Sequence, residues 1–265
     1  MAEPWYEFRH LDKAEVQRFV FYPRRDFDDS PRVPNAESCH IPVDEEVTIS
    51  CRFYMGDEKL PNILYFHGNG EIASDYDEIG AIFNGIGANL FVADYRGYGR
   101  SSGSPTLSSM IKDAHPIYQG FKVVLEEQGF AGKLFIMGRS LGSASAIELA
   151  YNYQDELSGL ILESGFANLF KLLSYLGFPT ALLGLDDTQT PTGLELIQKV
   201  KIPTLVIHGE YDQLVPVEEG QTLYENVAAR DKRLVIIPGV DHNTIFAWGA
   251  KQYLKALGDF VKSHS

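Results

Sequence analysis

Leu134-Phe135-Ile136-Met137-Gly138-Arg139-Ser140-Leu141-Gly142-Ser143 is the stretch on which the reading of this chain turns. An apolar run bounded by glycine reads as a strand buried on both faces. Gly-x-Ser-x-Gly follows at once, and residues 141–153 then read as a helix. A strand that passes into a helix through so short a turn needs glycines on either side of the serine. The backbone is sharply bent there and neighbouring backbone comes close, so a Cβ would clash. The Ser140 hydroxyl is thereby expected at the C-terminal edge of a sheet and at a helix N-terminus. Free N–H groups and the helix dipole favour developing negative charge at such a place. A plain helix N-cap serine is the competing reading.

Outward from this turn, β-branched apolar runs alternate with longer amphipathic segments, the pattern of a mostly parallel sheet with helices on both faces. Residues 37–42 and 47–54 read as an opening hairpin, with the second strand antiparallel. Residues 62–66, 90–93, 134–137, 160–162, 204–207 and 234–237 read as the remaining strands of an eight-stranded sheet. Helices are expected at about 74–86, 107–128, 141–153, 218–228 and 248–262, the second kinked or interrupted at Pro116. The Pro/Asp/Arg-rich residues 22–35 read as a surface loop. No internal repeat or linker divides residues 1–265, so a single domain is expected.

Two further strand ends carry chemistry. His67-Gly68-Asn69-Gly70 follows the strand at 62–66, where a glycine-rich loop can turn a backbone N–H into the site. The N–H groups of Asn69 and Leu141 would then form an oxyanion hole. His67 itself reads as structural, bonded to the loop backbone. His242, in Pro238-Gly239-Val240-Asp241-His242-Asn243, lies between the last strand and the last helix and is the better general base. His10 and His264 lie near the termini, His40 in the hairpin, His115 within a helix and His208 at a strand end. Asp212, after the strand at 204–207, is the expected acid that orients His242. Glu163, at the end of the sixth strand, is the alternative, and Glu210 is expected to face solvent or cap the loop. The order Ser140, Asp212, His242 is the one a nucleophile on a strand–helix turn calls for. The run Asp94–Gly99 lacks the lysine and spacing of a phosphate-binding loop. It reads as a tight connection with internal Asp–Arg bonding.

Composition narrows the partners. The chain of 265 residues is 45% hydrophobic and 12% aromatic, which fits a folded globular protein. Its formal net charge of −13 disfavours nucleic acid and anionic lipid. The N-terminal residues show no secretory signal, and no apolar run reaches the ~18 residues of a membrane span, so a cytoplasmic location is expected. Neither a metal-ligand cluster nor a dinucleotide fingerprint is present, so no cofactor is expected. Cys39 and Cys51 fall roughly opposite each other in the hairpin; buried reduced thiols are the expected state and a bridge the alternative.

With these motifs together, the sequence resembles the α/β-hydrolase superfamily over nearly its whole length. It is similar in particular to its Bem46-like branch, which includes the α/β-hydrolase domain proteins of types 13 and 17. The segments that carry the resemblance are 67–70, Asp94-Tyr95-Arg96-Gly97-Tyr98-Gly99-Arg100-Ser101, 138–143, 202–212 and 239–243. The resemblance implies a cofactor-independent serine esterase or thioesterase with Ser140 as nucleophile, Asp212 as acid and His242 as base. The membrane anchor or cysteine-rich lipidation segment of some animal members is not seen.

The expected function is hydrolysis of small ester or thioester substrates with apolar acyl groups through an acyl-enzyme on Ser140. Acyl transfer by the same residues and a non-catalytic binding module on the same fold are the alternatives. Residues 166–199, an irregular insertion after the sixth strand, are expected to form a small cap. They carry Leu169, Phe170, Leu172, Leu173, Tyr175, Leu176 and Phe178, then Leu182, Leu183 and Leu185. Leu173 and Leu176 are expected to line an acyl pocket.

Overall fold

Alternation within the apolar runs distributes the core over two faces of a sheet. The computed structural model describes residues 11–180 and 193–265. A short helix, α1 (Ala14–Val20), comes first. β1 (Ala36–Asp44) and β2 (Val47–Tyr54) form the expected hairpin. β3 (Asn62–Phe66), β4 (Asn89–Ala93), β5 (Leu134–Arg139), β6 (Gly159–Glu163), β7 (Thr204–Gly209) and β8 (Lys232–Ile237) complete an eight-stranded sheet in the order β1-β2-β4-β3-β5-β6-β7-β8. β2 is antiparallel to β1 and β4, and the other pairs are parallel.

The helices that follow are α2 (Asp77–Gly85), α3 (Leu107–Glu127), α4 (Ser143–Tyr153), α5 (Leu169–Tyr175), α6 (Gly193–Ile197), α7 (Val217–Asn226), α8 (Ile245–Trp248) and α9 (Ala250–Ser263). Leu64, Phe66, Ile136 and Leu162 pack with α3 and α4 on one face. Ile63, Tyr65, Phe135 and Met137 pack with Tyr253, Leu257 and Phe260 of α9 on the other. Among the described residues no helix is long and apolar enough to cross a membrane.

Several boundaries differ from expectation, each for a local reason. α3 runs unbroken past Pro116, because its buried stripe of Met110, Ala114, Ile117, Tyr118 and Phe121 continues on both sides of the proline. The last helix divides into α8 and α9 at Gly249, which caps both and packs closely on Ile237. A 3-10 turn, Ala73–Tyr76, precedes α2. Helix α1 has only two buried positions, Val16 and Val20, too few to announce it by periodicity. Cys39 stands opposite Cys51 across the hairpin and both are free thiols. Burial pushes the Cys39 thiol up to about 12 and raises Cys51 as well. The internal Asp–Arg bond expected in Asp94–Gly99 is not formed. Asp94 is buried against His67, whereas Arg96 reaches outward to Asp113, with Nε donating to Oδ2 at 2.6 Å, and to Asp44. Within the insertion after β6, α5 and Phe178 are described, while Leu182, Leu183 and Leu185 lie outside the described residues.

The strand order reverses between β3 and β5, since β4 lies on one side of β3 and β5 on the other. The crevice outside the carboxyl ends of the strands at such a switch point is where an open α/β sheet binds ligands. Phe66 pairs with Gly138 there, so the loop that follows β3 and the turn that follows β5 are neighbours. Gly142 packs directly on β3: a Cβ at that position would meet the Phe66 carbonyl oxygen at 2.2 Å. Gly142→Ala is therefore expected to lower stability by about 2 kcal/mol or more, through forced separation of the turn from β3. Urea unfolding checks this, and an unchanged midpoint and slope would contradict it.

Candidate active site

Ser140 sits at the end of β5 with φ of 50°, a left-handed conformation that costs a non-glycine residue about 1–3 kcal/mol. A 3-10 turn, Ser140–Gly142, leads into α4, whose Ser143 Oγ–H donates to the Ser140 carbonyl oxygen at 2.7 Å. Gly138 is required beside it, since a Cβ there would lie 2.4 Å from the Gly142 carbonyl oxygen.

Asp212 follows β7 in a short loop that its own side chain folds. Its Oδ1 accepts the N–H groups of Leu214 at 3.0 Å and Val215 at 2.8 Å. Its Oδ2 lies 2.7 Å from Nδ1 of His242. A carboxylate can only accept, so His242 carries its proton on Nδ1 and leaves Nε2 as the acceptor. His208 adds a second imidazole, with Nε2 at 3.4 Å from Asp212 Oδ2 and 2.8 Å from the Val215 carbonyl oxygen. Burial alone would raise the Asp212 carboxyl. The hydrogen bonds from His208 and His242 outweigh it and hold the group well below the usual carboxylate range. His208 was dismissed from the sequence as a strand end, and its position four residues before Asp212 was the only signal of this contact.

Both Glu163 oxygens are bonded to partners other than the His242 ring. Its Oε1 accepts from Arg139 Nε at 3.1 Å and its Oε2 from the Tyr253 hydroxyl at 2.8 Å. Burial raises its carboxyl above the ordinary value in spite of Arg139. Arg139, the variable residue before Ser140, also donates to Glu71, to the His242 carbonyl oxygen at 2.7 Å and to Asn243 Oδ1 at 3.2 Å. Glu71 in turn accepts the Gly68 N–H at 2.8 Å and the Tyr76 hydroxyl at 2.7 Å. One guanidinium thus joins the loop after β3, the turn after β5, the end of β6 and the histidine loop. Sequence reasoning missed Arg139 and Glu71, because their partners lie far away along the chain.

His67 is buried, with Nδ1 2.8 Å from the Gly68 carbonyl oxygen and Nε2 3.1 Å from Asp94 Oδ1, the structural place expected for it. Glu210 accepts the Gly239 N–H at 2.9 Å and so caps the neighbouring loop.

Ser140, Leu141, Asn69 and His242 line one cavity of about 350 Å3, which also takes Leu172 and Leu176 from α5 and its C-terminus. Leu176 borders this cavity, whereas Leu173, expected beside it, is 1% exposed and packs into the core. Leu172 and Leu176, four residues apart, share the face that borders the cavity, and Leu173, the next residue after Leu172, is rotated about 100° from it.

Comparison with known proteins agrees with this architecture. Residues 58–185 and 188–247 match the family described as serine aminopeptidase, S33 (Hydrolase_4). The chain belongs to this α/β-hydrolase family. It is 28% identical over 217 residues to protein bem46 of Schizosaccharomyces pombe, covering 77% of this chain and 68% of that one. It is also 28% identical over 245 residues to the human α/β-hydrolase domain-containing protein 17B, covering 90% of this chain and 80% of that one. Among solved structures, the esterase Pf2001 of Pyrococcus furiosus superposes with a TM-score of 0.74 at 20% identity, covering 92% of this chain and 99% of that one. The chain is therefore a Bem46-like member of the α/β-hydrolases, a family of hydrolases. The matched residues begin at 58, so α1 lies outside them.

Arg139→Met removes the cation from between the buried Glu163 carboxylate and the half-buried Glu71 carboxylate. It is expected to cost about 3–5 kcal/mol of stability, and Glu163→Gln added to it should restore part of the loss. Denaturant unfolding of the single and double variants measures both quantities. Additive losses in the double variant would contradict the network.

Proposed function

We propose that the protein hydrolyses carboxylic ester or thioester bonds through an acyl-enzyme on Ser140. The observation that carries this reading is that His242, hydrogen-bonded through Nδ1 to the buried Asp212 carboxylate, shares one cavity with Ser140. In this reading His242 Nε2 takes the Ser140 proton as Oγ attacks the acyl carbon. Asp212 fixes the tautomer and stabilises the imidazolium. The backbone N–H groups of Asn69 and Leu141 receive the oxyanion; loss of one such donor typically costs ~2.7–4 kcal/mol. His242 then returns the proton to the leaving alcohol or thiol, and water releases the acid by the same steps.

The cavity wall supports apolar acyl groups as the substrate class. Leu172 and Leu176 offer an apolar surface to an acyl chain, and α5 serves as part of a small cap beside the cleft within one hydrolase unit. Each acyl methylene that enters such a surface adds up to ~0.8 kcal/mol of binding.

The test is kcat on p-nitrophenyl esters for soluble, folded variants. Ser140→Ala should be inactive. Asp212→Asn should lose about 10⁴-fold, because the imidazole is held in the wrong tautomer. Glu163→Gln should lose far less, because Glu163 serves Arg139 and Tyr253 rather than the imidazole. A larger loss for Glu163→Gln than for Asp212→Asn would move the acid to β6.

A further inference from the structure

One wall of the cavity is made by a part of the chain that the family match does not include. Phe19, Val20 and Tyr22, from α1 and the residues that follow it, line the same space as Ser140 and His242. They face Leu172 and Leu176, and Leu214 adds a further apolar side chain.

Two sets of contacts fix this wall. The Phe19 ring meets the Phe178 ring edge-on, with centroids 4.9 Å apart and planes at 64°. Phe178 is itself tied to the end of α5, since its N–H donates to the Leu173 carbonyl oxygen at 2.9 Å. The two apolar walls are thus clasped together through an aromatic pair. The second set runs through the Asn69 side chain. Its Nδ2 donates to the Val20 carbonyl oxygen, and its Oδ1 accepts the Tyr22 N–H at 3.0 Å and the Tyr98 hydroxyl at 2.6 Å. The same residue whose backbone is proposed to hold the oxyanion thereby holds the N-terminal wall. Val16 and Val20 are buried and anchor α1 to the core.

We propose that α1 sets the acyl-chain length of the substrate, with Phe19 as the specificity-determining residue. This rests on the reading of Ser140 as nucleophile. A cavity of about 350 Å3 stands near the lower end of ligand sites, which span ~300–1,000 Å3. One aromatic ring in the wall of so small a space limits what enters it. Phe19 is half-buried and packs against the margin of the core, so it can change size without opening the sheet.

The experiment is a kcat/KM series on p-nitrophenyl esters from acetate to decanoate, for the wild type, Phe19→Ala and Phe19→Trp, each with a Ser140→Ala counterpart as blank. Each variant's series is read relative to its own acetate value, so that a general change in turnover cancels and only the position of the chain-length optimum is compared. The optimum should move to longer chains by about two methylenes in Phe19→Ala, with up to ~4-fold gained per added methylene, and to shorter chains in Phe19→Trp. Loss of stability alone cannot move the optimum in opposite directions. Should Phe19→Ala fail to fold, Phe19→Leu carries the enlarging arm. An unchanged optimum in proteins that hydrolyse esters in a Ser140-dependent way overturns the role of α1. Absence of any Ser140-dependent hydrolysis in the wild type overturns the nucleophile reading, and this inference with it.

Discussion

Between β5 and α4 the backbone has to reverse direction within a single short turn while leaving the Ser140 hydroxyl on the cleft side. That requirement forces a non-glycine residue to φ of 50° and leaves no room for a Cβ at Gly138 or Gly142. Such a turn persists only where its surroundings over-determine it. Here they do: β3 presses on Gly142 from one side, and Ser143 bonds the Ser140 carbonyl from the other. The crossing of β3 and β4 matters for the same reason, because it brings the end of β3, and with it Asn69, beside the turn.

Charge completes what the backbone begins. Arg139 precedes the serine in the turn and is paired on two sides by Glu71 and Glu163. A buried ion cluster of this kind contributes little net stability over an apolar replacement, yet breaking it is costly. Its value lies in fixing relative positions, since the same guanidinium holds the carbonyl of His242. Asp212 has a separate environment, with two backbone N–H donors on one oxygen and imidazole nitrogens on the other. The two carboxyl groups at adjacent strand ends are therefore shifted in opposite senses, Asp212 below the usual range by its hydrogen bonds and Glu163 above its ordinary value by burial.

Much of this was legible in the residues, and the part that was not has a common cause. β3 to β7 announced themselves because strands covered on both faces must be apolar throughout, and glycines near the ends of β3, β5, β7 and β8 marked the loops that carry Asn69, Ser140, Asp212 and His242. What stayed hidden depends on side chains that meet across long sequence separations or on rotation about a helix axis. Arg139 and Glu71 are of the first kind, as are Arg96 and Asp113, whose bond displaced the expected Asp94–Arg96 pair. Leu173 is of the second: α5 is apolar on more than one side, so sequence could not say which leucines face the cavity. Helix α1 was silent because so short an element carries too little pattern, although it supplies Phe19 to the cavity.

The central claim is that the strained serine on this turn is the attacking atom. Reaction of the folded protein with a fluorophosphonate, followed by intact mass measurement and peptide mapping, addresses it most directly. One phosphonyl group per chain is expected, carried on the oxygen of Ser140, with no incorporation after prior denaturation. An unmodified Ser140 peptide, or an adduct on another residue of the native protein, would contradict it.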